Sequence, residues 1–285
     1  MPHAANSGFF KSHDGLNLYY RDFGAGNPGT PLICLPGLTR NSRDFEDFAV
    51  ELSERRRVLT TDFRGRGYSD YDPEWQNYHP HTYVRDVWTL LDMLGIERII
   101  VIGTSLGGLC AMAMATLNAG RLAGVVLNDI GPELNPAGIE RVRQHAGRTP
   151  PVNDWDEAVE QTKLIYGDCF PGLSEDDWQK MAWRAYREVE SEVPRLDMDD
   201  MIGEAIRTVK PQSDDPWPFF DALANVPTTL LWGLMSDILT KDIVKKMQAR
   251  KPDLEVVQVP NRGHVPLLDE PECIAGIDAL LAKVP

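Results

Sequence analysis

The sequence predicts an α/β fold: a mostly parallel central sheet flanked by helices, with a helical insertion. Three observations carry this prediction. Short apolar runs alternate with stretches of helical spacing up to residue 131; the alternation stops over 132–220; it resumes from 221 onward. Strands that alternate with helices imply parallel pairing, because a parallel connection needs a crossover and a helix supplies it. The expected division is a core of 1–131 and 221–285 and an insertion of 132–220.

Each element has its own signal. "LNLYYRDF" (16–23) alternates as a half-buried strand does, and "TPLICLPG" (30–37) is a short continuous apolar run, as in a buried sheet. Phe45, Phe48, Ala49 and Leu52 then keep helical spacing, with Asn41 or Ser42 as the cap. "RRVLTTDF" (56–63) reads as a strand. Val84, Val87, Trp88, Leu91 and Leu94 mark a helix that stops at Gly95. Strand 98–102, helix 106–118 and strand 122–130 follow. From Gly131 to Phe220 no strand is expected; amphipathic helical pieces are expected at 154–167, 174–190 and 197–209. The α/β pattern returns with strand 227–233, helix 241–250, strand 254–260 and a closing helix 271–284, which has Pro271 in its first turn.

Composition narrows the class. The chain has 285 residues, 42% hydrophobic and 25% charged, as in a globular protein. A net charge of −14 disfavours nucleic acid, which selects basic faces, and anionic membrane surfaces. No run approaches the ~18 apolar residues of a membrane span. "MPHAANSGFF" has neither a basic start nor a long apolar run, so a secretory signal is not expected. Cys34, Cys110, Cys169 and Cys273 are scattered without a CxxC pair; neither a disulfide framework nor a zinc site is expected, and the expected setting is reduced and cytoplasmic.

Two motifs mislead. "GAGNPG" (24–29) matches G-x-G-x-x-G, but Pro28, Pro31 and a strand follow it, so no helix N-terminus is available for a pyrophosphate; it reads as a turn. "HPH" (79–81) has no third metal ligand nearby and reads as a loop.

"GTSLG" (103–107) has both the pattern and the context of a nucleophile turn. A strand precedes it, a helix follows, and Gly103 and Gly107 leave room for the sharp bend that lifts Ser105 above the sheet. The N–H of Leu106, at the helix start, is expected to face a developing oxyanion. A serine nucleophile needs a base, and the base needs an orienting carboxylate; in a strand–turn–helix arrangement the chain order is Ser, acid, His. Of the histidines after Ser105, His145 falls in the insertion, whereas His264 follows a strand between Gly263 and Pro266 and is the expected base. Two aspartates follow strands in between. Asp237 is the preferred acid; Asp129 is the alternative, with backbone N–H groups as its other expected partners. The second oxyanion donor is expected at the N–H of Leu38, just after Gly37. Arg40, two residues on, is a candidate to hold a substrate carboxylate, the alternative being a pair with Asp44 or Glu46.

"LPGL" (35–38), "DFRGRGYSD" (62–70), "GTSLGG" (103–108), "GLMSD" (233–237) and "GHVPLLDEP" (263–271) together resemble the α/β-hydrolase-fold serine hydrolases, in order and spacing, over most of the chain outside the insertion. The resemblance implies that fold, a catalytic triad, and an insertion that acts as a cap over the site. It assigns the 62–70 loop a structural role through glycine turns and Asp and Arg hydrogen bonds. Pro36 stands where the family usually has His; the donor there is a backbone N–H, so the oxyanion hole is expected to survive. A serine nucleophile argues against relatives that dehalogenate or open epoxides through an alkyl-enzyme ester.

The expected reaction is hydrolysis of a carboxylic ester or lactone through an acyl-enzyme, with a small-molecule substrate, no nucleic-acid or membrane partner, and no metal or organic cofactor. Rival readings are a C–C bond hydrolase of ring-cleavage diketones, an acyltransferase or perhydrolase, and a ligand-binding receptor on the same fold.

Overall fold

A computed structural model describes residues 6–188, 193–208 and 215–284. Eight strands form the main sheet: β1 (Asn6–Lys11), β2 (Asn17–Phe23), β3 (Leu32–Leu35), β4 (Val58–Thr61), β5 (Ile99–Thr104), β6 (Leu122–Asn128), and, beyond the insertion, β9 (Thr228–Gly233) and β10 (Glu255–Val259). Their order is β1-β2-β4-β3-β5-β6-β9-β10. Only β2 against β1 and β4 is antiparallel; every other pair is parallel. The strand ends that share an edge therefore gather the loops after β3, β5, β6, β9 and β10.

Alternation along the strands builds two apolar layers. Ile99 and Val101 face a cluster with α2 (Pro80–Met93), α3 (Leu106–Asn118) and α9 (Lys241–Arg250). Ile100 and Ile102 face the other cluster, with α1 (Glu46–Leu52) and α10 (Pro271–Lys283). Each such side chain, taken fully out of water, contributes roughly 1.5–3 kcal/mol. Asn41 caps the turn before α1 by accepting from the N–H of Arg43. His79 caps α2, its ring accepting from the N–H of His81, and Pro80 opens the helix; "HPH" is thus a helix start. "GAGNPG" lies in the turn between β2 and β3.

The insertion departs from expectation. It carries α4 (Pro136–His145), α5 (Trp155–Tyr166), α6 (Glu175–Ala185), a hairpin of β7 (Tyr186–Glu188) and β8 (Pro194–Leu196), α7 (Met201–Thr208) and α8 (Trp217–Asp221). The helix expected over 174–190 ends at Ala185, since Tyr186 turns extended (φ −109°, ψ 158°) and gives its carbonyl to Arg43 Nη1 at 3.1 Å. Residues 189–190 and 209 of the expected helices lie outside the described residues. Strand β1 was not expected either: it is an edge strand with only Phe10 buried. No helix among the described residues is long and apolar enough to cross a membrane.

One buried cation secures the loop after β4. Arg64, wholly buried, donates to Asp86 from Nε and Nη2 at 2.8 Å each, to Asp72 at 2.5 Å and to Asp14 at 2.7 Å. Removing one side of a buried network leaves charge uncompensated. Arg64→Met is expected to cost about 3–5 kcal/mol of folding stability in urea unfolding, by leaving Asp72 and Asp86 buried without a counter-charge.

Candidate active site

Ser105 sits between β5 and α3 with φ 51° and ψ −112°, a left-handed conformation that costs a non-glycine residue energy and needs tight surroundings to persist. Those surroundings are glycine. A Cβ on Gly107 would lie 2.1 Å from the Leu35 carbonyl oxygen, and one on Gly103 would lie 2.5 Å from the Gly107 backbone. Strand and helix cross so closely that the turn has no slack. The N–H of Ser105 donates to the Asn128 carbonyl at 3.1 Å, and its own carbonyl accepts from Gly108 at 2.9 Å.

His264 reaches Ser105 from the loop after β10, Nε2 to Oγ at 2.8 Å. Glu270 shapes that loop: its carboxylate accepts from the N–H groups of Leu267 and Leu268 and from Arg262 Nε, at 2.9, 3.0 and 2.6 Å. From the insertion side, the Cys169 carbonyl accepts the N–H of Gly263 at 2.7 Å. Sequence reasoning assigned neither residue a part. The acid at position 270, eight residues after Arg262, was the signal available.

The imidazole's other nitrogen meets Asp129, not Asp237. Nδ1 lies 2.8 Å from Asp129 Oδ2, and Asp129 is fully buried. The expectation that Asp237 would orient His264 is therefore corrected. Asp129 follows β6 directly and takes a positive φ of 54°. Pairing of Asn128 with Leu231 brings it beside the start of the loop after β9. There it also accepts from the Gly233 N–H at 3.0 Å and the Ser236 hydroxyl at 2.6 Å. Asp237 lies one residue beyond Ser236 and is taken by Arg141 of α4, in a two-pronged pair of 2.6 and 2.9 Å. Burial pushes the Asp237 carboxyl up, but the Arg141 hydrogen bonds and charge more than offset this and hold it below the usual range.

The loop after β3 passes against the serine. Gly37 is buried, and a Cβ there would be 3.9 Å from Ser105 Cβ. The Leu38 carbonyl accepts from Arg66 Nε at 2.9 Å; Arg66 is fully buried and lies over the rings of Tyr78 and Tyr83. Asp62 accepts from the N–H groups of Ser42 and Tyr68 at 2.6 and 2.9 Å, joining this loop to the one after β4. Leu106 opens α3 immediately after Ser105. Arg40 gives Nε and Nη2 to Asp44 at 2.8 and 2.6 Å, the pairing that sequence reading held as the alternative to carboxylate binding.

Ser105 and His264 line a cavity of about 220 Å³ together with insertion residues including Val142, Ile165, Tyr166 and Phe170. It is smaller than the 300–1,000 Å³ common for ligand sites, and charged side chains, among them Arg40, Asp44, Arg141, Lys180 and Arg184, line it beside the apolar ones.

A sequence model of the alpha/beta hydrolase fold family matches residues 30–182. The 3-hydroxybutyrate-oligomer hydrolase of Cupriavidus necator is similar at 30% identity over 260 residues, 88% of each chain. The 2-(acetamidomethylene)succinate hydrolase of Mesorhizobium japonicum is 25% identical over 87% of this chain and 85% of its own. A solved structure of an alpha/beta hydrolase from Novosphingobium aromaticivorans superposes with a TM-score of 0.93 at 42% identity, covering 98% of this chain and 99% of that one.

The two aspartates separate in a labelling assay. Asp129→Asn is expected to slow fluorophosphonate labelling of Ser105 by up to roughly 10⁴-fold, the factor by which loss of an orienting carboxylate lowers kcat in other triads. Asp237→Asn is expected to leave the rate within several-fold of the parent protein, since its partner is Arg141.

Proposed function

Because the chain belongs to the alpha/beta hydrolase fold family, we propose that this hydrolase cleaves a carboxylic ester or lactone through a triad of Ser105, His264 and Asp129. One observation carries the reading: the unbroken line from Ser105 Oγ through His264 to Asp129, with both contacts at 2.8 Å. A proton on Nδ1, directed at the carboxylate, leaves the Nε2 lone pair facing the serine hydroxyl.

The steps follow from that polarity. Oγ attacks the carbonyl carbon while Nε2 takes its proton. The carbonyl electron pair moves onto oxygen, where the N–H groups of Leu38 and Leu106 receive the oxyanion. The tetrahedral species collapses, the C–O bond to the alcohol breaks, and His264 protonates the departing oxygen. Water then attacks the acyl-enzyme, again giving its proton to Nε2, and Ser105 leaves with that proton. Asp129 holds the imidazole in the working tautomer and offsets its charge in each half-reaction. The strained turn keeps Oγ in position before substrate arrives, so little orientation is left to the reaction itself.

The small cavity and the similarity to a hydrolase named for 3-hydroxybutyrate oligomers, which are linked by esters, support short esters as substrates. The insertion is proposed to be a cap, since its residues line that cavity. Arg40 is assigned to the cavity wall, because its fork is filled by Asp44.

A panel of short p-nitrophenyl esters, oligomeric hydroxyacid esters and lactones tests the reading. Ser105→Ala is expected to lower kcat on the order of 10⁶-fold; unchanged turnover would overturn the proposal. Hydrolysis of a dienoate diketone in preference to every ester would instead favour C–C cleavage. For Arg40→Ala, KM is expected to rise alike for neutral and acidic esters; a rise confined to acidic ones would restore a carboxylate-binding role.

A further inference from the structure

Ser236 contributes a hydroxyl whose direction is fixed by hydrogen-bond counting. A serine hydroxyl has one proton to donate and two acceptor positions. Ser236 Oγ accepts from the N–H of Ile238 at 3.2 Å and of Leu239 at 3.0 Å. Neither N–H can take a proton, so the serine proton is left for its third neighbour, Asp129 Oδ2, at 2.6 Å. That is the same oxygen that faces His264 Nδ1. The other oxygen, Oδ1, is held by the Gly233 N–H at 3.0 Å.

We propose that Ser236 is a positioning residue for the triad acid. With Gly233 it pins both oxygens of a fully buried carboxylate, so the carboxylate cannot turn away from the imidazole when His264 gains and loses its proton. A hydrogen bond to an ionised acceptor is about twice as strong as a neutral one, and none is replaced by water in a buried site. The turn that carries Ser236 is itself held from the insertion. Asn135 donates from Nδ2 to the Asp237 carbonyl at 2.8 Å and from its N–H to the Ile238 carbonyl at 2.9 Å. Arg141 holds the Asp237 side chain. The residue expected to be the acid thus anchors the turn whose preceding serine orients the acid.

The inference rests on the Ser105–His264–Asp129 reading, and the test separates the two. Ser236→Ala is expected to lower kcat on a short ester about tenfold and to slow fluorophosphonate labelling of Ser105 by the same factor, with KM within twofold. Ser236→Thr, which keeps the hydroxyl, is expected to restore most of both rates. The low-field proton resonance of the His264 Nδ1–H bond is expected to move in Ser236→Ala and to return in Ser236→Thr. Should Ser236→Ala prove too unstable to assay, Ser236→Cys fills the space with a weak donor and decides the matter, with the same slowing expected. Parent rates and an unmoved resonance in the Ala or Cys variant would overturn the positioning role while leaving the triad intact. Full labelling in Asp129→Asn would overturn the triad reading instead.

Discussion

The contact on which the site depends is the crossing of β5, α3 and β3. With 2.1 Å between the Leu35 carbonyl oxygen and the place a Gly107 Cβ would occupy, no side chain fits. Gly108 is as confined, its Cβ position 2.3 Å from the Ile130 side chain. The helix is thereby pressed against two strand ends, and the single residue between strand and helix is forced into a left-handed conformation. Strain of roughly 1–3 kcal/mol at such a residue persists only where the surroundings over-determine it. Here they do: β5 is buried along its length and α3 is buried on most faces.

Glycine does the same work at the acid and at the base. Gly233 gives its N–H to Asp129, and the hydrogen it has in place of a side chain lets the backbone of Arg262 and Gly263 pass within 2.7 Å of the Cβ position. One residue therefore touches the loops that carry two of the three proposed catalytic side chains. The buried carboxylate of Asp129 is surrounded by donors; a polar group buried without partners is costly. Asp62 and Arg64 follow the same rule one loop away, each buried and each supplied with partners. These polar groups tie down the loop whose Arg66 holds the Leu38 carbonyl.

That Ser105 and His264 would meet was legible in the sequence because the signals are local. A strand, a glycine-flanked serine and a helix lie within some twenty residues, and His264 is the histidine placed after a late strand. The parallel core was legible for the same reason, through the apolar runs of β3, β5, β6 and β9. The acid was not. Asp129 and Asp237 both follow strands, and the choice between them depends on how β6 registers against β9 and on a counter-charge at Arg141, 96 residues from its partner. The β7–β8 hairpin was hidden likewise: its sequence continues the charge spacing of α6, and the extended form is held by Arg43 from the core.

That hidden pairing bears on how the two parts of the molecule work together. The end of β9 and the loop after it give the Gly233 N–H and the Ser236 hydroxyl to Asp129, then the Asp237 side chain to Arg141 of α4 and two carbonyls to Asn135 just before that helix. On the far side, Cys169 of the insertion holds the backbone of Gly263, next to the base. His264 is thus one residue from a point where the insertion grips the core, and Ser236, the partner of Asp129, is one residue from another. Insertion residues line the cavity and also hold the two loops that the proposed proton transfers use. A sequence change within the insertion that shifts α4 or the turn at Cys169 therefore reaches Ser236 and Gly263 through those hydrogen bonds. On the proposed reading, pocket and triad are mechanically linked, because the segment that lines the cavity also holds the loops on which Ser236 and His264 stand.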